Sequence, residues 1–260
     1  MHTAVSARQR TAVRSDTYLL THVLGVTLLL AVLAEASRLS GLDMAIARMF
    51  FDGQANAFPW RDSRLLELIA HRIVLVLPVG LAVGALAAAV ASHWFHVLRP
   101  WRGALWAIVL TCALGQVVIS QLKHYTALPR PYNLDVFGGY AHYPQHFWAV
   151  NRKEAGGALP SNHAGAGYAM LALYFAGWAL GSRTWRWAGL AAGIAAGLLF
   201  SLVRIMQGAH FFSQTLWAAC VMWGLASILF YLPIVRAAPA GQGGPDGGWS
   251  TGAEQDARQP

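Results

Sequence analysis

Long, almost uninterrupted apolar runs alternate along this chain with short polar connections. Crossing the hydrocarbon of a bilayer takes about 20 mostly apolar residues, with roughly 17 as a lower limit. Six runs reach or approach that length: Tyr18–Ala34, Ile73–Ala91, Gly103–Leu122, Ala164–Leu180, Trp187–Val203 and Phe211–Val235. Backbone polar groups in lipid must be satisfied within their own segment, so runs of this kind predict helices. The fifth, "WAGLAAGIAAGLLFSLV", is rich in Gly and Ala. Small residues let helix backbones approach closely, which predicts a place for it at the bundle centre. The expected fold is all-α: an integral membrane bundle of six transmembrane helices.

The connections carry their own pattern. In the first long one, "LDMAIARMFFDG" places Leu42, Ile46, Met49 and Phe50 on one helical face, as a helix lying in the membrane interface would. Residues 1–17 form a basic tail with Arg8, Arg10 and Arg14, residues 18–235 the membrane domain, and residues 236–260 a Gly/Pro-rich tail expected to be disordered. Residues 123–163 are the longest connection and too polar to span.

Composition agrees with a membrane protein. Of the 260 residues 56% are hydrophobic and 12% charged, against about a quarter charged in soluble domains. A net charge of +8 raises the question of nucleic acid. The basic residues are almost all arginines scattered singly between apolar runs, however, and form no basic stripe, so a nucleic-acid partner is not expected. Cys112 and Cys220 lie inside apolar runs without metal-ligand spacing and read as core residues. An even number of spans puts both termini on one side. Raw Lys/Arg counts do not decide which. The tail arginines and the tight connections at Arg99/Arg102 and Arg183/Arg186 favour cytoplasmic termini.

That topology brings three separated segments to one membrane face: "KHYTALPRP" with Lys123 and Arg130, "PSNH" at residues 160–163, and "VRIMQGAHFFSQ" with Arg204 and His210. A phosphate ester spreads negative charge over its non-bridging oxygens in the transition state, so its catalysis rests on positioning and electrostatic stabilisation. Arginine offers a planar fork matched to phosphate, and lysine a point charge. Pro160, Ser161 and Asn162 look like a helix start, whose free N–H groups favour an anion. A single histidine at a membrane edge is commonly inert, and a lone interfacial lysine or arginine commonly snorkels. Two histidines and three cations converging at one rim point instead to phosphoryl chemistry.

These segments resemble the three motifs of the type 2 phosphatidic acid phosphatase superfamily, the membrane lipid-phosphate phosphatases. Its first motif, lysine, six residues, then Arg-Pro, is met by Lys123, Arg130 and Pro131. Its second, Pro-Ser-Gly-His, appears as Pro160-Ser161-Asn162-His163. Its third, Ser-Arg, five residues, His, three residues, Asp, appears with Val203 for the serine, Arg204 and His210 in place, and Gln214 for the aspartate. The resemblance implies that His210 attacks phosphorus to give a phosphohistidine. His163 would protonate the leaving alcohol and later activate water, while Lys123, Arg130, Ser161, Asn162 and Arg204 hold the phosphate. It implies no metal and no cofactor. Gln214 can accept a hydrogen bond from the His210 ring but brings no charge, so attack is impaired unless Asp135 or Glu154 on the same face substitutes.

The expected substrate is a phosphorylated membrane lipid at the periplasmic face of a bacterial inner membrane: undecaprenyl pyrophosphate, phosphatidylglycerophosphate, phosphatidic acid or the lipid A class. Two alternatives share the site. One is transfer of the phosphoryl group to a second lipid, and the other is a degenerate protein that binds or translocates lipid phosphate without cleaving it. His124, His142 and His146 fit no metal site and read as surface residues. Tyr140, Tyr143, Phe147 and Trp148 read as an aromatic patch over the site, and Trp94, Trp101, Trp185 and Trp187 as interfacial belt residues.

Overall fold

A computed structural model of the chain describes residues 15–68, 76–126, 128–144 and 157–237. The tail before residue 15, the tail beyond 237, the first residues of the second expected span, and His146, Phe147, Trp148 and Glu154 lie outside the described residues. Among the described residues the regular structure is helical, joined by turns and loops, with two isolated bridges, Asp52 with Ala57 and Leu134 with Ala141. In order come α1 (Ser15–Leu39), α2 (Leu42–Met49), α3 (Arg64–Leu68), α4 (Val76–Ala91), α5 (Arg102–Tyr125), α6 (Asn162–Tyr168), α7 (Ala172–Ala179), α8 (Arg183–Met206), α9 (Phe212–Leu229) and α10 (Tyr231–Ala237).

Among the described residues, four helices are long and apolar enough to cross a membrane: α1, α5 with the 3-10 turn that leads into it, α8 and α9. The other two expected spans take different forms. The described part of the second is the 16-residue α4. The fourth is divided between α6 and α7 by a 3-10 turn at Ala169–Leu171, so no single helix there reaches spanning length. The last expected span also breaks, at Phe230, where α9 gives way to α10.

The centre of the bundle is α9, which packs against α1, α5 and α6. Met222, Ala218 and Ala226 on it are fully buried. The fifth expected span was assigned that place from its Gly and Ala content, and the structure corrects this. In α8, Gly189, Gly193 and Gly197 recur every fourth residue and so lie on one face, where α8 meets α6 and α7. A Cβ at Gly189 would lie 2.5 Å from the Leu173 carbonyl carbon, and one at Gly193 2.7 Å from the Leu171 nitrogen. The other face leaves Ile194, Leu198, Leu199 and Leu202 exposed. A glycine ridge gives close approach on one side only, and close packing is what holds helices together where lipid is as apolar as the side chains. Gly189→Ala meets backbone and is therefore expected to lower stability by about 1–3 kcal/mol, read as a lower melting temperature in detergent.

Helix α2 forms where the amphipathic pattern placed it. Its inward face is Asp43 and Ala47, while Leu42 and Met49 point outward. The ring faces of Trp94, Trp101, Trp185 and Trp187 are exposed at helix ends. Toward the other end of the bundle from the three motifs, His22 on α1 reaches Tyr174 of α7 (Nε2···Oη 3.0 Å), and Trp223 Nε1 donates to the His22 carbonyl (2.8 Å), so this histidine ties helices together.

Candidate active site

Three motif-bearing segments meet where α5 ends, α6 begins, and α8 turns into α9. Backbone and side-chain hydrogen bonds lace them. Ser161 N–H donates to the Gln214 carbonyl (3.1 Å), Gln214 Nε2 donates to the Pro129 carbonyl (3.1 Å), and Tyr132 N–H donates to the Gly208 carbonyl (3.0 Å). The Thr126 hydroxyl and the Ala158 N–H add links to Leu159 and Leu128. Segments far apart in sequence therefore share one rim of the bundle.

The α6 start is built as its sequence indicated. Ser161 is the N-cap, extended at φ −77° and ψ 116°, and its Oγ accepts from Ala164 N–H at 3.3 Å. Serine is favoured there because its oxygen satisfies a backbone donor that the first turn leaves orphaned. Ser161 is fully buried, and its hydroxyl proton remains for an outside acceptor. Asn162 occupies the first helical position rather than the cap, which accounts for the tolerance of a side chain where the motif has glycine. Its Oδ1 is buried without a hydrogen-bond partner among the described residues. Half-buried His163 follows it.

His210 sits in the turn between α8 and α9, 2% exposed. Its Nδ1 lies 3.1 Å from Gln214 Oε1. The orientation of that amide is fixed by its other neighbours. Phe211 N–H, which can only donate, meets Oε1 at 3.1 Å, and the Pro129 carbonyl, which can only accept, meets Nε2. Oε1 must then accept from His210 as well. The ring proton is held on Nδ1, and the lone pair is left on Nε2. Burial lowers the His210 pKa well below 6.5. Lys123, Arg204 and Arg130 lower it further through their charges, against a smaller opposing effect of the Gln214 hydrogen bond. The neutral imidazole lies within the field of three cations, which favours an anion beside it.

Arg204 donates from Nη1 to Gln207 Oε1 at 2.7 Å, while its buried Nε has no partner among the described residues. A buried N–H donor left unpaired is costly, and a phosphate oxygen would satisfy it. Arg130 donates from Nη1 to the Tyr132 hydroxyl at 2.5 Å. Lys123 lies in the last turn of α5.

Asp135 does not stand in for the absent aspartate. It pairs with the exposed ring of His142 at 2.5 Å, and this hydrogen bond holds its carboxyl below the usual range. The carboxylate that does reach the α9 start was missed in the sequence. Asp43, 1% exposed, accepts from Ser213 N–H (2.8 Å), the Ser37 hydroxyl (2.8 Å) and the Ser213 hydroxyl. It caps the turn that carries Gln214. The only signal for it was one acidic residue on the inward side of an amphipathic segment, and its partner lies on a different helix. Tyr132, directly after Arg-Pro, was likewise unmarked.

Three cations and two histidines thus stand at one rim of a bundle whose long helices are apolar enough to cross a membrane. Residues 104–237, just over half of the chain, match the PAP2 superfamily. The chain belongs to that superfamily, whose members are generally phosphatases acting on phosphate esters, typically of lipids. No curated protein and no solved structure matches the chain.

Proposed function

We propose that this protein hydrolyses a phosphate ester or anhydride on a membrane lipid through a phosphohistidine at His210. The observation that carries this reading is the fixed Nδ1–H of His210, which leaves Nε2 unprotonated beside three cations. Nε2 attacks phosphorus while Lys123, Arg130, Arg204 and Ser161 hold the non-bridging oxygens. The bond to the leaving oxygen breaks, and His163 supplies its proton. His163 then takes a proton from water as the water attacks phosphorus, and the P–N bond to His210 breaks. The side-chain cations provide the charge stabilisation, so the proposed route is metal-independent. Gln214 favours catalysis over a binding-only role because it does one half of the work of a carboxylate, fixing the tautomer, without the charge.

A groove of about 340 Å³ opens beside the site, lined by Pro78, Val79, Ala82 and Val83 of α4 and by Cys112, with Asn162 and His163 at its polar end. Its walls are almost wholly apolar. That supports an alkyl chain held there and a phosphate presented at the rim. The reading extends to six membrane crossings in the 18–235 domain, cytoplasmic termini, α2 in the interface, and a periplasm-facing site in a bacterial inner membrane.

The test is phosphate release from purified phosphatidic acid, phosphatidylglycerophosphate, undecaprenyl pyrophosphate and lipid A, with the protein shown to be folded. No release from any of them overturns the proposal. Each methylene removed from water contributes about 0.8 kcal/mol, so for short-chain analogues dissolved as monomers in water, adding about four methylenes within the groove is expected to raise kcat/KM roughly 10²-fold. A flat dependence on chain length would remove the groove from the account.

A further inference from the structure

Outside the matched residues 104–237, the first outer loop delivers one more cation to the site. Arg61 lies over the Tyr132 ring with its guanidinium carbon 4.1 Å from the centroid. Tyr132 is the residue whose hydroxyl accepts from Arg130, and the Arg130 guanidinium carbon is 5.7 Å from the same centroid. The two guanidinium carbons are therefore at most about 10 Å apart. Like charges held this close repel, and an anion contacting both would relieve the repulsion.

The placement is built rather than incidental. Phe58, 3% exposed, anchors the loop in a cluster with Phe51 and Phe137, at ring separations of 5.3 and 5.4 Å. It also packs on Gly208, two residues before His210. Gly208 has φ +62°, and a Cβ there would lie 2.5 Å from the Phe58 ring. Arg61 N–H donates to the Phe58 carbonyl at 3.0 Å, so the turn that follows the anchor sets its position. Among the described residues the Arg61 side chain has no hydrogen-bond or ion-pair partner, only the aromatic face. Stacking on an aromatic ring leaves the N–H fork of arginine free to bind an anion edge-on.

We propose that Arg61 and Arg130 flank a second phosphoryl subsite next to the one held by Lys123 and Arg204, and that the preferred headgroup is a diphosphate rather than a single terminal phosphate. This rests on the phosphatase reading and narrows its substrate class. The terminal phosphoryl group faces His210, and Arg61 neutralises charge on the phosphoryl group that stays with the lipid and departs with it.

The test uses the purified full chain in detergent. Calorimetric titration with inorganic pyrophosphate and with orthophosphate is compared for wild type, Arg61→Ala and Arg61→Lys. Pyrophosphate is expected to bind wild type about tenfold tighter than orthophosphate. Arg61→Ala should erase about that tenfold while moving orthophosphate affinity less than about twofold, and Arg61→Lys should recover part of it. Equal wild-type affinities, parallel losses for both anions, or no loss with Arg61→Ala would each overturn the proposal and leave Arg61 a packing residue on Tyr132. The same contrast should appear in kcat/KM for a prenyl diphosphate against the monophosphate of the same chain. Release of phosphate from neither substrate would overturn the phosphatase reading, while the anion titrations would still decide the subsite.

Discussion

His210→Ala is expected to abolish lipid phosphate release, lowering kcat by about 10⁴-fold or more, the scale on which loss of a catalytic nucleophile falls. Among the described residues of the rim, His163 on α6 at the groove mouth is the other imidazole, and the proposed mechanism already uses it as the proton donor. The phosphate cradle survives the substitution, because Lys123, Arg130 and Arg204 are held by other elements. Orthophosphate affinity should therefore change little. That split separates loss of the nucleophile from loss of the fold. Direct detection of phosphohistidine at 210 during turnover, absent in the variant, would complete the case. Phosphate release unchanged in His210→Ala would show that the attacking group lies elsewhere.

Gln214→Asp carries the second largest expected effect, in the opposite direction. In a serine protease, replacing the carboxylate behind the catalytic histidine with an amide costs about 10⁴-fold in turnover. Part of that loss comes from the wrong tautomer, which Gln214 already avoids because its Oε1 accepts a hydrogen bond from His210 Nδ1–H. The other part is charge: among the described residues no carboxylate pairs with His210 to offset the positive ring that phosphorylation would create. Supplying a carboxylate should raise kcat by about 10-fold or more. It should also raise the His210 pKa, which burial and three cations now hold well below 6.5. The neutral, attacking form would then be lost at a higher pH on acidification. The acid limb of the kcat/KM profile is expected to move toward neutral pH in Gln214→Asp relative to wild type. No gain in kcat together with an unmoved acid limb would show that Gln214 does not govern the ring.

Much of this site was legible because its residues sit in short local patterns at helix ends. Lys123 to Arg130, residues 160–163, and Arg204 to His210 each fall within one segment, and each segment borders an apolar run, which is where the structure brings them together. The glycine spacing of α8 was visible too, but spacing gives only a face, and which neighbour receives it depends on the rest of the bundle. What stayed hidden depends on pairing between distant elements. Asp43 meets Ser213 across 170 residues, and Arg61 reaches Tyr132 through a loop whose anchor, Phe58, lies against Gly208. The break at Ala169–Leu171 was equally silent, because Ala, Met and Leu are ordinary helix residues and the change of winding there comes from packing against α8.

The clasp at Gln214 also bears on how the protein is made. One residue near the carboxyl end of the bundle joins the Ser161 and Pro129 segments and steers the His210 ring. Until α9 has docked in the bundle, the cations have neither the clasp nor a steered imidazole beside them, so the proposed hydrolysis cannot begin before that helix is in place.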